Sequence, residues 1–328
     1  MRYLRSGVLV ALGLLALFIG LFVGYGWSQG HDPLRALGNL LAPHPNPVER
    51  NPALPAVAKH RVSWLGDIEN RDLNESSGLT ASILHEDVLW SINDSGGEAE
   101  LFALSLTGRH IATISINSDK PFDWESLDAF ELEGRAFIAI ADVGDNFGWR
   151  SSVEILVVPE PVALKGGQVD VARRMEFTYP DGPRDSEAIA VDAANNRILV
   201  LSKREYPQKL YELSLFKSGL AKLLGELPGL PQPSLEDYEE EPDTAQYRHM
   251  PSGMDYDPVN DRLLVTTYKD AFLYRLGALE QGPTLIPMPS VGQREAITWT
   301  GKDTAVVSRE RFEGIGVSDL FQIEFIEY

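Results

Sequence analysis

The sequence predicts an all-β fold: a single β-propeller of four-stranded blades. Three observations carry that prediction. A small or acidic residue, a small residue and an aliphatic one open a strand five times: Ser77-Gly78-Leu79, Glu125-Ser126-Leu127, Glu187-Ala188-Ile189, Ser252-Gly253-Met254 and Glu295-Ala296-Ile297. Each opening leads through a turn to a second apolar strand with polar residues at its end, as in VLWSIND (Val88–Asp94), RILVLSK (Arg197–Lys203) and TAVVSRE (Thr304–Glu310). The last unit runs out of chain after its third strand, and a spare strand, RVSWLGDI (Arg61–Ile68), waits at the other end. A ring closed by its two termini leaves only short, protected edges.

The chain of 328 residues has room for one large domain or two ordinary ones. Its N-terminal residues 1–30 are expected to form a membrane segment. Arg2 and Arg5 precede a stretch from Ser6 to Gly30 that carries no formal charge. Gly7 to Gly26 alone is long enough to cross a bilayer core as one helix at about 1.5 Å per residue. The competing reading is a cleaved signal peptide, for which Gly24-Tyr25-Gly26 offers small residues at a suitable spacing. Against it, the apolar run exceeds the usual h-region of roughly 7–15 residues. The arginines then stay on the cytoplasmic side and the rest faces outward. This localisation is periplasmic if the source is bacterial, and secreted if the segment is cleaved.

Residues 31–60 read as a Pro-rich linker, with Pro33, Pro43, Pro45, Pro47, Pro52 and Pro55 among short apolar scraps. The propeller domain occupies 61–328. Its triplets start 48, 62, 65 and 43 residues apart, which fits blades of roughly 40–50 residues plus insertions. The Pro-rich acidic stretch 228–249 is the clearest insertion and reads as a solvated loop. Five blades are counted; a sixth would require a poorly patterned sheet hidden in one of the long gaps.

Composition narrows the chemistry. Lys and Arg number 29 against 48 Asp and Glu, a formal charge of −19, which argues against a nucleic-acid partner. With no cysteine, disulfides, thiolate metal sites and a Cys nucleophile are excluded. Six scattered histidines give no pair at zinc-ligand spacing, and no G-x-S-x-G elbow, P-loop or dinucleotide fingerprint occurs.

The motifs ESSGLT (Glu75–Thr80), LWSINDSGG, DWESL, DSEAIAVD and REAITW resemble the extracytoplasmic propellers grouped as phytase-like or SdiA-regulated proteins. That resemblance spans most of residues 70–325. It implies calcium-assisted phosphoester hydrolysis, or related ester or lactone hydrolysis. A complete phytase calcium and phosphate constellation does not map onto this chain.

In a propeller the loops entering the first strand and leaving the second open on one face. Polar residues gather there, with an uneven split of sign. Asp94, Glu125, Asp142, Asp145 and Asn146 are the expected metal ligands, a hard-oxygen set suited to calcium. Lys203, Arg204, Lys269, Arg294 and Arg309 form a cationic half expected to hold a small anionic ligand. Glu187 with Lys203, and Glu295 with Arg309, are expected as ion pairs between neighbouring strands. The sequence therefore favours an envelope binding or sensing module, with a metal-dependent phosphoesterase or esterase second and a protein scaffold third. Whether it is an enzyme stays open at this level.

Overall fold

The computed structural model describes residues 18–28, 31–41, 46–289, 293–310 and 318–327. Five antiparallel sheets succeed one another around a ring, and the first strand of each lies innermost. Strand β1 (Lys59–Asp67) belongs to the last of them. Blade one is β2 (Ser76–Ala81), β3 (Val88–Asn93), β4 (Glu100–Ser105) and β5 (His110–Asn117). Blade two runs β6 (Trp124–Leu132), β7 (Arg135–Asp142), β8 (Val153–Pro159), then, past β9 (Gly167–Asp170), β10 (Arg173–Thr178). Blade three holds β11 (Ser186–Asp192), β12 (Arg197–Ser202), β13 (Lys209–Ser214) and, beyond β14 (Gly219–Leu220), β15 (Lys222–Glu226). Blade four is β16 (Pro251–Asp257), β17 (Arg262–Thr267), β18 (Ala271–Arg275) and β19 (Thr284–Ile286). Blade five is β20 (Arg294–Gly301), β21 (Thr304–Arg309) and β22 (Asp319–Glu327), completed by β1, which pairs antiparallel with β22.

The five-bladed ring and its closure by the N-terminal strand are as the repeat pattern predicts. The apolar alternation of each blade fills the wedge against its neighbour, so the core is five clusters between adjacent blades. Trp90, Leu101 and Ile140 pack between blades one and two, for example, and Leu201, Val265 and Phe272 between three and four. Two short strands add stitching: β9 pairs parallel with β5 of blade one, and β14 with β10 of blade two.

Near the axis the inner strands are tied by side chains two residues beyond the middle of each triplet. Thr80 Oγ1 accepts the Ala129 N–H at 2.9 Å, Asp128 that of Val191 at 2.6 Å, Asp255 that of Trp299 at 2.6 Å and Thr298 that of Ala81 at 3.1 Å. The inner strands pair on one side only, so these contacts satisfy donors that ring packing would otherwise bury unpaired. Blade three has Ala190 at this position and supplies no such tie. Where Gly78 and Gly253 stand in their triplets, a Cβ would run into Leu127 of blade two and the Ala296 backbone of blade five respectively.

The chain ahead of β1 packs against the ring. Residues 18–28 are helical, a second helix covers Pro33–Leu41, and Val48 and Ala56 form bridges with Ser234 and Leu285. Among the described residues no helix is long and apolar enough to cross a membrane. Residues 1–17 and 29–30 of the expected anchor lie outside the described residues.

The insertion 228–249 departs from a solvated loop. Ser234 caps a short helix, Leu235–Glu240, through a capping box with Asp237. Asp237 is only 2% exposed and gathers Ser234 Oγ at 2.6 Å, His249 Nε2 at 2.9 Å, Lys269 Nζ at 3.2 Å and Arg248 Nη1 at 3.3 Å. His249 and Ser234 hold its carboxylate well below the usual range against the effect of burial, and Lys269 ties the acidic segment to blade four.

Candidate functional site at the mouth of the ring

Every inner strand begins with a β-bulge, and the unpaired residue is the first of each triplet. The ladder skips Ser77, Glu125, Glu187, Ser252 and Glu295 in turn. A bulge re-aims one side chain out of the pleat. Four of these five residues line a cavity of about 170 Å³ on the axis: Ser77, Glu125, Glu187 and Glu295. Beside them in the lining stand the first residues beyond the second strands, namely Asp94, Lys203, Tyr268 and Glu310.

Two carboxylate triads share Glu125. Asp94, Asp123 and Glu125 offer oxygens within 4.8 Å of one another, and so do Glu125, Asp185 and Glu187. The Gly144 backbone closes over the first triad so tightly that a Cβ there would overlap the Asp123 and Glu125 carboxylates. The second triad is matched by cations: Lys203 Nζ pairs with Glu187, and Arg204 Nε lies 2.5 Å from Asp185. Lys203 also sits 5.4 Å above the Tyr268 ring.

The electrostatics arise from burial and like charge. Asp123 is pushed up to about 8 by burial and by Asp94 and Asp185, only partly opposed by Arg150. Burial and Asp94 hold Glu125 well above the carboxylate range, against the pull of Lys203. Glu295 is raised by burial and by Glu310, and Glu310 is itself raised by burial. Glu75 at the rim moves the same way through burial and Asp94. Carboxylates crowded out of water favour their neutral form unless a cation compensates them.

Of the five expected metal ligands, Asp94, Glu125 and Asn146 line the cavity, Asn146 with its Oδ1 accepting from Arg204. Asp142 and Asp145 are engaged in folding the loop behind it. Asp142 pairs with Arg150 at 2.7 Å and accepts the Phe122 N–H at 3.0 Å. Asp145 accepts the N–H groups of Trp149 and Arg150, both at 2.9 Å, while its own N–H donates to Asp185. Burial raises Asp145 despite those donors.

Every member of the expected cationic half already has protein partners. Beyond Lys203 and Arg204, Lys269 reaches Asp237 in the insertion. Arg294 donates to the Tyr268 and Pro289 carbonyls at 2.7 and 3.1 Å. The expected Glu295–Arg309 pair is corrected by the register. Arg309 ends β21, sits opposite Asp319 of β22 and binds that carboxylate through Nε and Nη2 at 2.8 and 2.6 Å. Glu295 instead faces Glu310, one residue further along. Glu187 and Lys203 do pair across their strands.

Sequence reasoning passed over Tyr268; Asp123, Asp185 and Glu310 it placed at the strand entries and exits of the mouth without assigning them to the metal set. A charge-weighted choice picked Lys269 and Arg309 in blades four and five. The position one earlier or later, Tyr268 and Glu310, is the one that reaches the axis. Aligning the five repeats by strand end, rather than by charge, would have found Tyr268 and preferred Glu310 to Arg309, since one residue of slip reverses a strand's facing.

No family model and no curated protein matches the chain. Among solved structures it is similar to a luciferin-regenerating enzyme, at 9% identity, over 82% of this chain and 96% of that one, with a TM-score of 0.42. The nidogen/laminin complex gives 12% identity over 76% and 85%, with a TM-score of 0.42. The PQQ-bound aldose sugar dehydrogenase from Streptomyces coelicolor gives 11% identity over 83% and 100%, with a TM-score of 0.40. None of the three bears on this chain's chemistry.

Proposed function

We propose that the protein is a membrane-anchored, extracytoplasmic binding module whose mouth takes up a hard divalent cation, calcium. One observation supports this most. Glu125, 5% exposed, has no hydrogen-bond donor or ion-pair partner among the described residues, and Asp94 and Asp123 stand beside it. An ionised carboxylate held out of water without a partner is costly, so the first triad either keeps protons or gains a cation. Calcium accepts six to eight oxygen ligands at irregular geometry, which suits carboxylates from two segments, the end of β3 and the start of β6. The resemblance to calcium-using propellers points the same way. A hydrolase would add a wall holding the anionic substrate, and the five cations that would form it are already engaged by protein groups.

Thermal unfolding of the full chain in detergent, in EDTA and then over a calcium series, tests this. The expected result is a saturable rise in the midpoint, worth about 2.7 kcal/mol at a hundredfold excess over Kd. Glu125→Gln should abolish the rise without lowering the midpoint in EDTA. A flat midpoint up to millimolar calcium in the unsubstituted protein overturns the proposal.

A further inference from the structure

The segment ahead of β1 docks on the same face of the ring as the mouth. Phe22 stacks on Trp149 with ring centroids 5.0 Å apart, and meets Phe147 edge-on at 6.2 Å. His31 packs against Trp149 and Phe122 at 5.0 and 5.4 Å. Asn39 Nδ2 donates to the Phe147 carbonyl at 2.8 Å, and Arg35 Nη2 to that of Pro183 at 3.2 Å. Phe122 precedes β6, loop 143–152 joins β7 to β8, and Pro183 precedes β11, so all lie at the mouth end of their blades.

Around this contact apolar side chains are left in water. Phe18, Leu21, Tyr25, Trp27 and Leu34 are each more than half exposed, and Phe122 and Phe147 are exposed beside them. Seventeen residues precede Phe18, and from Ser6 onward they carry no charge. Phe18, Leu21 and Tyr25 themselves belong to the stretch expected to enter a bilayer, so the patch is continuous with it. Tyr25 and Trp27 lie where aromatic side chains favour the interface between lipid and water. The acids of the mouth are recessed on the axis, while the apolar rim stands at blade two.

We propose that the lipid bilayer itself covers this patch, so that the loops of blade two rest in the interface and the mouth opens toward the membrane surface. The inference rests on the anchor reading. It assigns the opposite face, with the β16–β17 turn at Val259, to the aqueous side.

The chain has no cysteine, so single-cysteine labelling is clean. Full-length Leu34→Cys, Phe147→Cys and Val259→Cys proteins, each carrying a polarity-sensitive fluorophore, would be reconstituted in phosphatidylcholine vesicles with a nitroxide-bearing lipid. All three sites are exposed, so folding should survive labelling, and vesicle flotation is measured alongside. The expected result is blue-shifted emission and at least twofold stronger lipid quenching at positions 34 and 147 than at 259. Failure to float with the vesicles would sink the anchor and this orientation together. Flotation with equal quenching at all three positions would overturn the orientation and leave the anchor standing.

Discussion

Glu125 belongs to two carboxylate triads that differ in how their charge is met. With Asp185 and Glu187 it faces Lys203 and Arg204, cations supplied by the same blade as the acids. With Asp94 and Asp123 it has no cation of the triad's own: Arg150, which acts on Asp123, is paired with Asp142, and Lys203, which pulls on Glu125, is paired with Glu187. The first arrangement is complete as protein. The second is complete only with protons or an added ion. Similar acids in similar burial thus become structure in one place and a binding site in the other. The deciding factor is the charge carried just past the second strand of each blade. The second strand of blade three runs out into Ser202-Lys203-Arg204, whereas that of blade one runs out into Asn93-Asp94.

The largest expected effect comes from erasing that difference. Lys203→Met removes the ammonium from a pair whose partners are both buried, leaving Glu187 uncompensated. Stability in EDTA should fall by about 3–5 kcal/mol in urea unfolding. Adding Glu187→Gln should restore most of the loss, because the cost is the orphaned charge and not the missing methylenes. If the single substitution is neutral, the second triad is not held by its cation and the contrast fails.

A smaller effect sharpens the contrast through pH. Burial and the neighbouring acids push Asp123 up to about 8 in the folded chain, from the ordinary carboxylate range when unfolded. The folded state therefore binds its proton more tightly. The stability that proton confers is full below the unfolded value and is lost as pH rises to about 8. Measured as the difference from Asp123→Asn in EDTA, stability should decline between pH 4 and 8. Calcium should flatten that slope by favouring the ionised form, and its binding at pH 7 should release protons, detectable by calorimetry in buffers of different ionisation enthalpy. A pH-independent difference would place the uncompensated charge elsewhere.

The smallest effect is at the edge of the compensated triad. The Arg204 side chain is 37% exposed where it meets Asp185, so solvent screens the pair. Arg204→Ala should cost about 1 kcal/mol or less in the same urea experiment. A cost as large as that of Lys203→Met would mean that the guanidinium compensates the acids as much as the ammonium does.

The sequence by itself determined the blades. The triplet's small second residue, Gly78 or Gly253, is required where inner strands crowd together, and the apolar alternation of the second and third strands is required by the wedges between blades. Both are local demands repeated five times, so they leave a periodic trace. The spare strand near Arg61 was legible for the same reason: a four-stranded unit missing one strand has an unpaired edge to cover. Asp94 and Glu125 could be named as site residues because loop and bulge positions recur with the repeat.

Beyond Glu187 and Lys203, whose pairing follows from neighbouring strands, tertiary structure decided which acids meet which cations. Asp142 and Asp94 both close a second strand in the sequence, yet Asp142 turns to Arg150 and Asp94 to the axis. Arg309 went to Asp319 because β21 and β22 place those residues opposite each other. Lys269 went to Asp237 because the insertion folds back through a capped helix. Charge pairing depends on a few ångströms across strands and loops distant in sequence, and a bulge or a single residue of register changes the partner. Repeats record the local backbone geometry, but only the closed ring fixes those distances.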